Sequence, residues 1–231
     1  MKKLQLLRTD FMDEKMEISP EGLLKRFSHH QNFNYYKDKL STPQLSDSLK
    51  KLLDYNPVIP FIKPLNDDYK ILGKIITVQT SSEDWGTVLE AIDLAEKGDI
   101  IFISADNDDS AVWGELTSKS AHNKGIAGTV IYGAVRDAAS IKKINYPVFS
   151  RAVVPNAGTP LAQGDVNIPL KCGEITINPQ DVVLGDDCGV VVVPGELFSQ
   201  AINQALLIRE EEEKIINKMD KGYSLSNIIR S

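Results

Sequence analysis

Apolar and polar positions along the chain change their period several times, and each change predicts an element. From about residue 70, YKILGKIITVQT is dense enough in apolar and β-branched residues for one or two strands. The next stretch, SSEDWGTVLEAIDLAEKGD, has helical spacing, with Trp85, Val88, Leu89 and Ile92 inward and Gly98 as its stop. DIIFIS then reads as a short buried strand. SAVWGELTSKSAHNKG is predicted as a helix ending at Gly125, GTVIYGAV as a strand, and DAASIKKI as a short helix with Asp137 at or near its cap. Strands thus alternate with helices across residues 70–145, the pattern of a sheet covered by helices.

After Pro147 the period shortens to that of strands and turns: PVFSRAVV, VNIPL and EITI, then NPQDVVLGDDCGVVVVPG, whose GDDCG separates two β-rich runs as a hairpin would. The last element is a helix from about Glu196 into REEEEKIINKM, with Leu197, Phe198, Ala201, Ile202, Ala205 and Leu206 forming its apolar stripe. Before residue 70, STPQLSDSLKKLLDY offers Thr42 as cap, Pro43 at the first helical position and Leu45, Leu49, Leu52 and Leu53 on one face. SPEGLLKRF (19–27) repeats that logic with Ser19, Pro20, Leu23, Leu24 and Phe27. No internal repeat or low-complexity linker interrupts the chain. The economical division is a helical N-terminal extension, residues 1–41, and one mixed α/β domain, residues 42–231.

Composition narrows the class of partner. With 231 residues, 42% apolar and 25% charged, the chain suits one sizeable soluble core. Its net charge is −6, and Lys2, Lys25, Lys50, Lys142 and Lys214 are scattered rather than striped, so nucleic acid is not an expected partner. MKKLQLLRTDFMDEK lacks the apolar run of a signal peptide, and no 18 consecutive apolar residues occur to cross a bilayer, so a cytoplasmic protein without membrane contact is expected. Cys172 and Cys188 stand in neither zinc nor disulfide spacing and read as small buried or turn residues, as a reducing interior allows.

Packing gives no reason for a cation and an anion to stand side by side at the end of an apolar strand, as Arg136 and Asp137 do. The loop SADNDDS leads into a helix whose free N–H groups at Gly114, Glu115, Leu116 and Thr117 favour an anion. Twenty residues separate Glu115 from Arg136, and one helix plus one strand would return Arg136 and Asp137 to the same sheet edge. Such a set suits a 2-oxo acid. Amides take the carboxylate, while a guanidinium and a metal-bearing carboxylate stabilise an enolate as its charge develops. A lone carboxylate leaves most positions of a magnesium ion to water and substrate. Taken singly, Asp137 can be a helix cap, Arg136 a surface cation and Glu115 a solvated residue. His29, His30 and His122 lack metal-like spacing, and Glu210 to Glu213 read as a solvated face.

AVWGELTSKSAHNKGIAGTVIYGAVRD, YPVFSRAVVPNAG and VNIPLKCGEITINPQDVVLGDDCGVVVVP resemble the RraA-like family, which includes the 4-hydroxy-4-methyl-2-oxoglutarate aldolases. The resemblance runs from about Thr42 to Glu213 and leaves residues 1–41 outside. It implies an α/β fold, a three-layer ββα sandwich of the RraA-like type, with the site between subunits of a homotrimer that can stack into a hexamer. Glu115, Arg136 and Asp137 match the aldolase pattern of an acidic residue, twenty residues, then Arg-Asp. The implied activity is a lyase using magnesium or manganese on a small 2-oxo acid through a pyruvate enolate, by retro-aldol cleavage or oxaloacetate decarboxylation. By the same resemblance Asp137 ligates the metal, Arg136 contacts the keto or enolate oxygen and Glu115 orients a metal-bound water. Amides near Leu116 and Thr117 hold the substrate carboxylate, with Gly114 beside them. A glutamate of a neighbouring C-terminal helix, Glu213 or Glu210, approaches the metal. Two positions depart from the family: Ser82, Glu83 and Asp84 replace a Gly-Asp-Asn type of turn, and Tyr132 stands where aspartate is frequent. The family's other kind, non-catalytic regulators of ribonuclease E, lacks a complete metal site and is the alternative implied.

Overall fold

Three apolar runs, ILGKIITVQT, IIFISA and GTVIYGAV, form the strands on which everything else is mounted, β3 (Ile71–Thr80), β4 (Ile100–Ala105) and β6 (Gly128–Val135). In this computed structural model residues 33–53 and 57–230 are described. The expected helix over 19–27, with His29 and His30, lies outside them. Residues Asn34–Ser231 form one compact unit, which carries the sheet and the site.

Helices α1 (Phe33–Lys37) and α2 (Thr42–Leu53) precede two short strands, β1 (Val58–Ile59) and β2 (Lys63–Pro64). Between β3 and β4 lies α3 (Thr87–Leu94). Strand β5 (Ala111–Trp113) and α4 (Glu115–Lys124) lead to β6, and α5 (Ala138–Ile144) to β7 (Val148–Val153). Then come β8 (Asp165–Val166), the hairpin β9 (Leu170–Cys172) and β10 (Ile175–Ile177), and the hairpin β11 (Val182–Asp186) and β12 (Gly189–Val193). Helices α6 (Phe198–Asp220) and α7 (Leu225–Arg230) close the chain.

The main sheet runs β1-β12-β11-β3-β4-β6-β7-β2, with β5 and β8 branching from β6 and β3. β3, β4, β6 and β7 are mutually parallel, and β11 runs antiparallel beside β3. Strands β1 and β2 lie at opposite ends of this order yet are joined by residues 60–62 alone. Laid flat, eight strands would set their edges ~34 Å apart at ~4.8 Å per strand, whereas the link from Ile59 to Lys63 reaches at most ~14 Å. The sheet must curl, and it does so around its own core.

That curl gives two hydrophobic cores. Alternation along β4 sends Ile100 and Phe102 inward with Val130, Phe149 and Val183, while Ile101 and Ile103 face outward with Ile131 and Val135. The outer face is covered by Val88, Ala91 and Ile92 of α3 and by Ala121 and Ile141, the inner one by Leu170, Cys172 and Ile177 of the small hairpin. Helices, sheet and hairpin form the layers of a mixed α/β fold. Helix α2 lies against α6 and covers β12 and β11 with Leu45 and Leu49, which are fully buried.

Four local expectations change. AVW is strand β5, paired with β6, and only from Glu115 is the segment helical. Helix α3 stops at Leu94, before Gly98, and Leu89 is exposed because Val88, Ala91 and Ile92 already fill its inward face. Leu52 and Leu53 are half-buried, not buried. Asp137 stands at the N-cap of α5, but in the left-handed conformation (φ 59°) and without a side-chain cap bond. The strands 71–80, 100–105 and 128–135, the GDDCG hairpin and the last helix agree with the sequence reading.

Candidate active site

Glu115, Arg136 and Asp137 lie at the carboxyl ends of the parallel strands, where α/β sheets leave a crevice. The Arg136 amide donates to the Trp113 carbonyl at 3.0 Å, so the ends of β5 and β6 lie side by side. Trp113 is buried, and its indole N–H donates to Ser118 Oγ at 2.7 Å, which fixes the elbow between β5 and α4. Glu115, Arg136 and Asp137, twenty residues apart in sequence, meet around one small cleft with Gly114, Leu116 and Thr117.

The left-handed backbone of Asp137 turns its carboxylate away from its own helix and toward α4. Asp137 Oδ2 accepts the Glu115 N–H at 3.2 Å and lies 3.6 Å from Arg136 Nε. Both side chains remain more than two-fifths exposed, 43% for Arg136 and 42% for Asp137. Gly114 makes this approach possible, since a Cβ there would stand 2.8 Å from Asp137 Oδ2 and 3.2 Å from Arg136 Cγ. The Gly114 amide itself is occupied, donating to Thr117 Oγ1 at 3.0 Å, so the glycine contributes room rather than a donor. Leu116 and Thr117 stand at the second and third helical positions, where the first turn of a helix offers its N–H groups no i−4 acceptor.

A second cluster at the same sheet end was not legible in the sequence. Asp84, 2% exposed, accepts from the amides of Gly86 (2.7 Å), Leu161 (2.9 Å), Ala162 (3.0 Å) and Gln163 (2.8 Å) and from Thr87 Oγ1 (2.8 Å). Burial opposes its charge, but the Gln163 amide, the Thr87 hydroxyl and the Ala162 and Gly86 amides prevail and hold its pKa down to about 2. Asp84 therefore clamps residues 157–164 onto the turn 82–86. Gly158 completes the clamp, because a Cβ there would meet the Glu83 carbonyl at 2.0 Å. The departing turn Ser82-Glu83-Asp84 is thus an organised element: the Ser82 amide donates to Asp106 Oδ1 at 2.7 Å and Glu83 Oε1 accepts from Ser110 Oγ at 2.7 Å. Tyr132 is compensated in another way. Arg151 lies over its ring at 4.5 Å and bonds Asp108 at 2.9 Å.

Other candidates separate from the cleft. Asp186, Asp187 and Cys188 are close enough together to hold a cation, but Asp186 already accepts from Thr42 N (2.7 Å), Thr42 Oγ1 (2.5 Å) and Cys188 N (3.0 Å). They lie at the β11–β12 turn, and Gly185 pairs with Ile71, the first residue of β3, which puts the group at the opposite end of the sheet from the cleft. Burial pushes the Cys172 thiol up to about 12, so it stays protonated. Of the glutamates on α6, Glu213 pairs with Arg209 at 2.9 Å and Glu212 accepts from Gln44 at 2.7 Å, while Glu210 has no such tie among the described residues. No helix among the described residues is long and apolar enough to cross a membrane.

The family described as RraA-like, Aldolase/RraA, matches residues 42–192. The chain belongs to the RraA-like family. Among RraA-like relatives, an uncharacterized protein of Methanocaldococcus jannaschii is 36% identical over 192 residues, 82% of this chain and 89% of that one. A protein of Halalkalibacterium halodurans with the provisional name 4-hydroxy-4-methyl-2-oxoglutarate aldolase is 37% identical over 175 residues, 75% of this chain and 82% of its own. The crystal structure of an uncharacterized protein from Pseudomonas syringae pv. tomato shares the RraA-like architecture at 30% identity and a TM-score of 0.73, covering 82% of this chain and 92% of that chain.

Proposed function

We propose that this RraA-like chain is a divalent-metal-dependent lyase that releases pyruvate from 2-oxo acids, by retro-aldol cleavage of a 4-hydroxy-2-oxo acid or by decarboxylation of oxaloacetate. The observation that carries the reading is Arg136 and Asp137 standing against the start of α4, with Gly114 leaving the space between them clear. A relative named provisionally as an aldolase supports it.

Asp137 is chemically suited to a hard cation. One oxygen is held by the Glu115 amide, the other has no hydrogen-bond partner among the described residues, and the carboxylate is open to water. Magnesium or manganese bound through one carboxylate and several waters is the ordinary arrangement for such a donor. Held there, the ion would supply Lewis-acid polarisation of the substrate's keto oxygen. The remaining tasks fall to the protein. The free amides of Leu116 and Thr117 take the substrate carboxylate, and the Arg136 guanidinium bonds the C2 oxygen most strongly as negative charge gathers on it. Glu115 orients the water that removes the proton from the C4 hydroxyl. The C3–C4 bond then breaks, its electron pair passes toward the C2 oxygen, and a proton returned to C3 completes pyruvate. In decarboxylation the same pair is left behind by departing carbon dioxide. The assembly proposed is a homotrimer or hexamer in the cell interior.

The test is pyruvate release from oxaloacetate, 4-hydroxy-4-methyl-2-oxoglutarate and 4-hydroxy-2-oxopentanoate, with magnesium, with manganese and with excess chelator. Metal-dependent release above the metal-only background is the expected outcome. Folded protein that releases none from any of the three would shift the assignment to a protein-binding regulator.

A further inference from the structure

We infer that Arg151 and Asp108 are a positioning pair: they fix the loop 106–110 so that the Glu115 amide stays on Asp137 and orients that carboxylate for a divalent cation. The inference rests on the reading of Asp137 as a metal ligand and adds two residues that act through it.

The chain reaches the site by a narrow route. Strand β5 has three residues and pairs with β6 through a register shift between Ala111 and Trp113, so few bonds of its own set its place. Glu115 stands two residues beyond it. Direction must therefore come from the loop before β5, whose polar residues are tied to other parts of the chain. Asp106 Oδ1 accepts from the Ser82 amide at 2.7 Å, the Asp109 carbonyl accepts from Asn156 Nδ2 at 2.6 Å, and Ser110 Oγ donates to Glu83 at 2.7 Å. Those partners lie in turns and loops. Asp108 reaches the body of the sheet, through Arg151 on β7 at 2.9 Å.

The pair leaves bonds unmade. Arg151 Nε and Asp108 Oδ1 are both shielded from water and have no hydrogen-bond partner among the described residues. A guanidinium and a carboxylate often close a two-pronged fork, which would satisfy both atoms. Here the guanidinium lies over the Tyr132 ring at 4.5 Å while the loop's other ties set the course of Asp108, so one prong stays open. Unsatisfied buried donors and acceptors persist where the surrounding structure insists on one geometry. The geometry kept is the loop's path into β5 and, beyond it, the Glu115 amide at 3.2 Å from Asp137 Oδ2. Outer contacts that orient a ligand tune the affinity of the site for its metal.

The test separates the loop tie from the pairing of the Arg151 charge. Manganese dissociation constants are measured by electron paramagnetic resonance on the full chain in its native assembly, beside urea unfolding midpoints. Asp108→Ala is expected to weaken manganese binding about tenfold and to lower the midpoint, since it leaves Arg151 without its carboxylate. Adding Tyr132→Asp puts a carboxylate back beside Arg151, from the neighbouring strand, but leaves the loop untied. In that double variant the midpoint should recover and the manganese affinity should not. Asp108→Asn, which keeps the shape of the side chain, should weaken binding several-fold with folding intact. Recovery of affinity together with the midpoint, or unchanged affinity in both single variants, would overturn the inference and leave the proposed chemistry standing. No manganese binding by the unaltered protein would overturn both.

Discussion

Asp84 and Asp137 lie at the same end of the sheet and have opposite fates. Asp84 is buried and accepts five hydrogen bonds from two loops, whereas Asp137 is 42% exposed, accepts one from the Glu115 amide and keeps an oxygen free. A carboxylate whose lone pairs are all used is a fastener, and one held by a single amide is available to a cation or a reacting group. The contrast divides labour at one end of the sheet: the 82–86 turn builds a wall, and the Arg136-Asp137 pair lies beside it.

The largest expected effect is on the fastener. Asp84→Ala orphans four amides and a hydroxyl and should cost about 3–5 kcal/mol of stability. Urea unfolding reads it; a loss below ~1 kcal/mol would mean the loops hold together without the carboxylate. Arg136→Ala should reverse the pattern, lowering turnover by ~10²–10³ with the unfolding midpoint nearly unchanged. Near-normal turnover in that variant would remove the guanidinium from the chemistry. Acid sharpens the comparison. The Asp84 carboxyl sits at about 2 when folded against an ordinary 3.8, so its contribution is complete above pH ~4 and is lost as pH falls through about 2. That gap corresponds to about 2 kcal/mol. Asp84→Asn should flatten the fall in stability over that window. Smallest is Gly114→Ala, whose Cβ would press on Asp137 Oδ2 at 2.8 Å. About tenfold weaker apparent metal affinity, with folding intact, is the expected outcome in a titration of activity against magnesium.

Much of the fold was legible because long apolar runs bounded by turn residues leave few alternatives. IIFISA and GTVIYGAV are buried on both faces, and GDDCG turns a hairpin. The meeting of Glu115, Arg136 and Asp137 was legible too, since a helix and a parallel strand return the chain to its starting edge. What escaped was long-range or conformational. Three of the five partners of Asp84 are backbone amides 77 to 79 residues downstream, which carry no side-chain signal. Nor does any residue type announce that Asp137 takes a left-handed backbone and so reaches α4 instead of capping α5. AVW was absorbed into the following helix because three residues are too few to show a strand period.

The link of residues 60–62 between β1 and β2 has a colloidal consequence. Both ends of the main sheet are finished by two-residue stubs of the same short segment, so neither offers the row of unpaired amides and carbonyls that a neighbouring chain needs to add itself as a further strand. A sheet so rich in valine and isoleucine would otherwise be a template for fibrils; hemmed at both margins by one turn of chain, it leaves an added strand less to pair with.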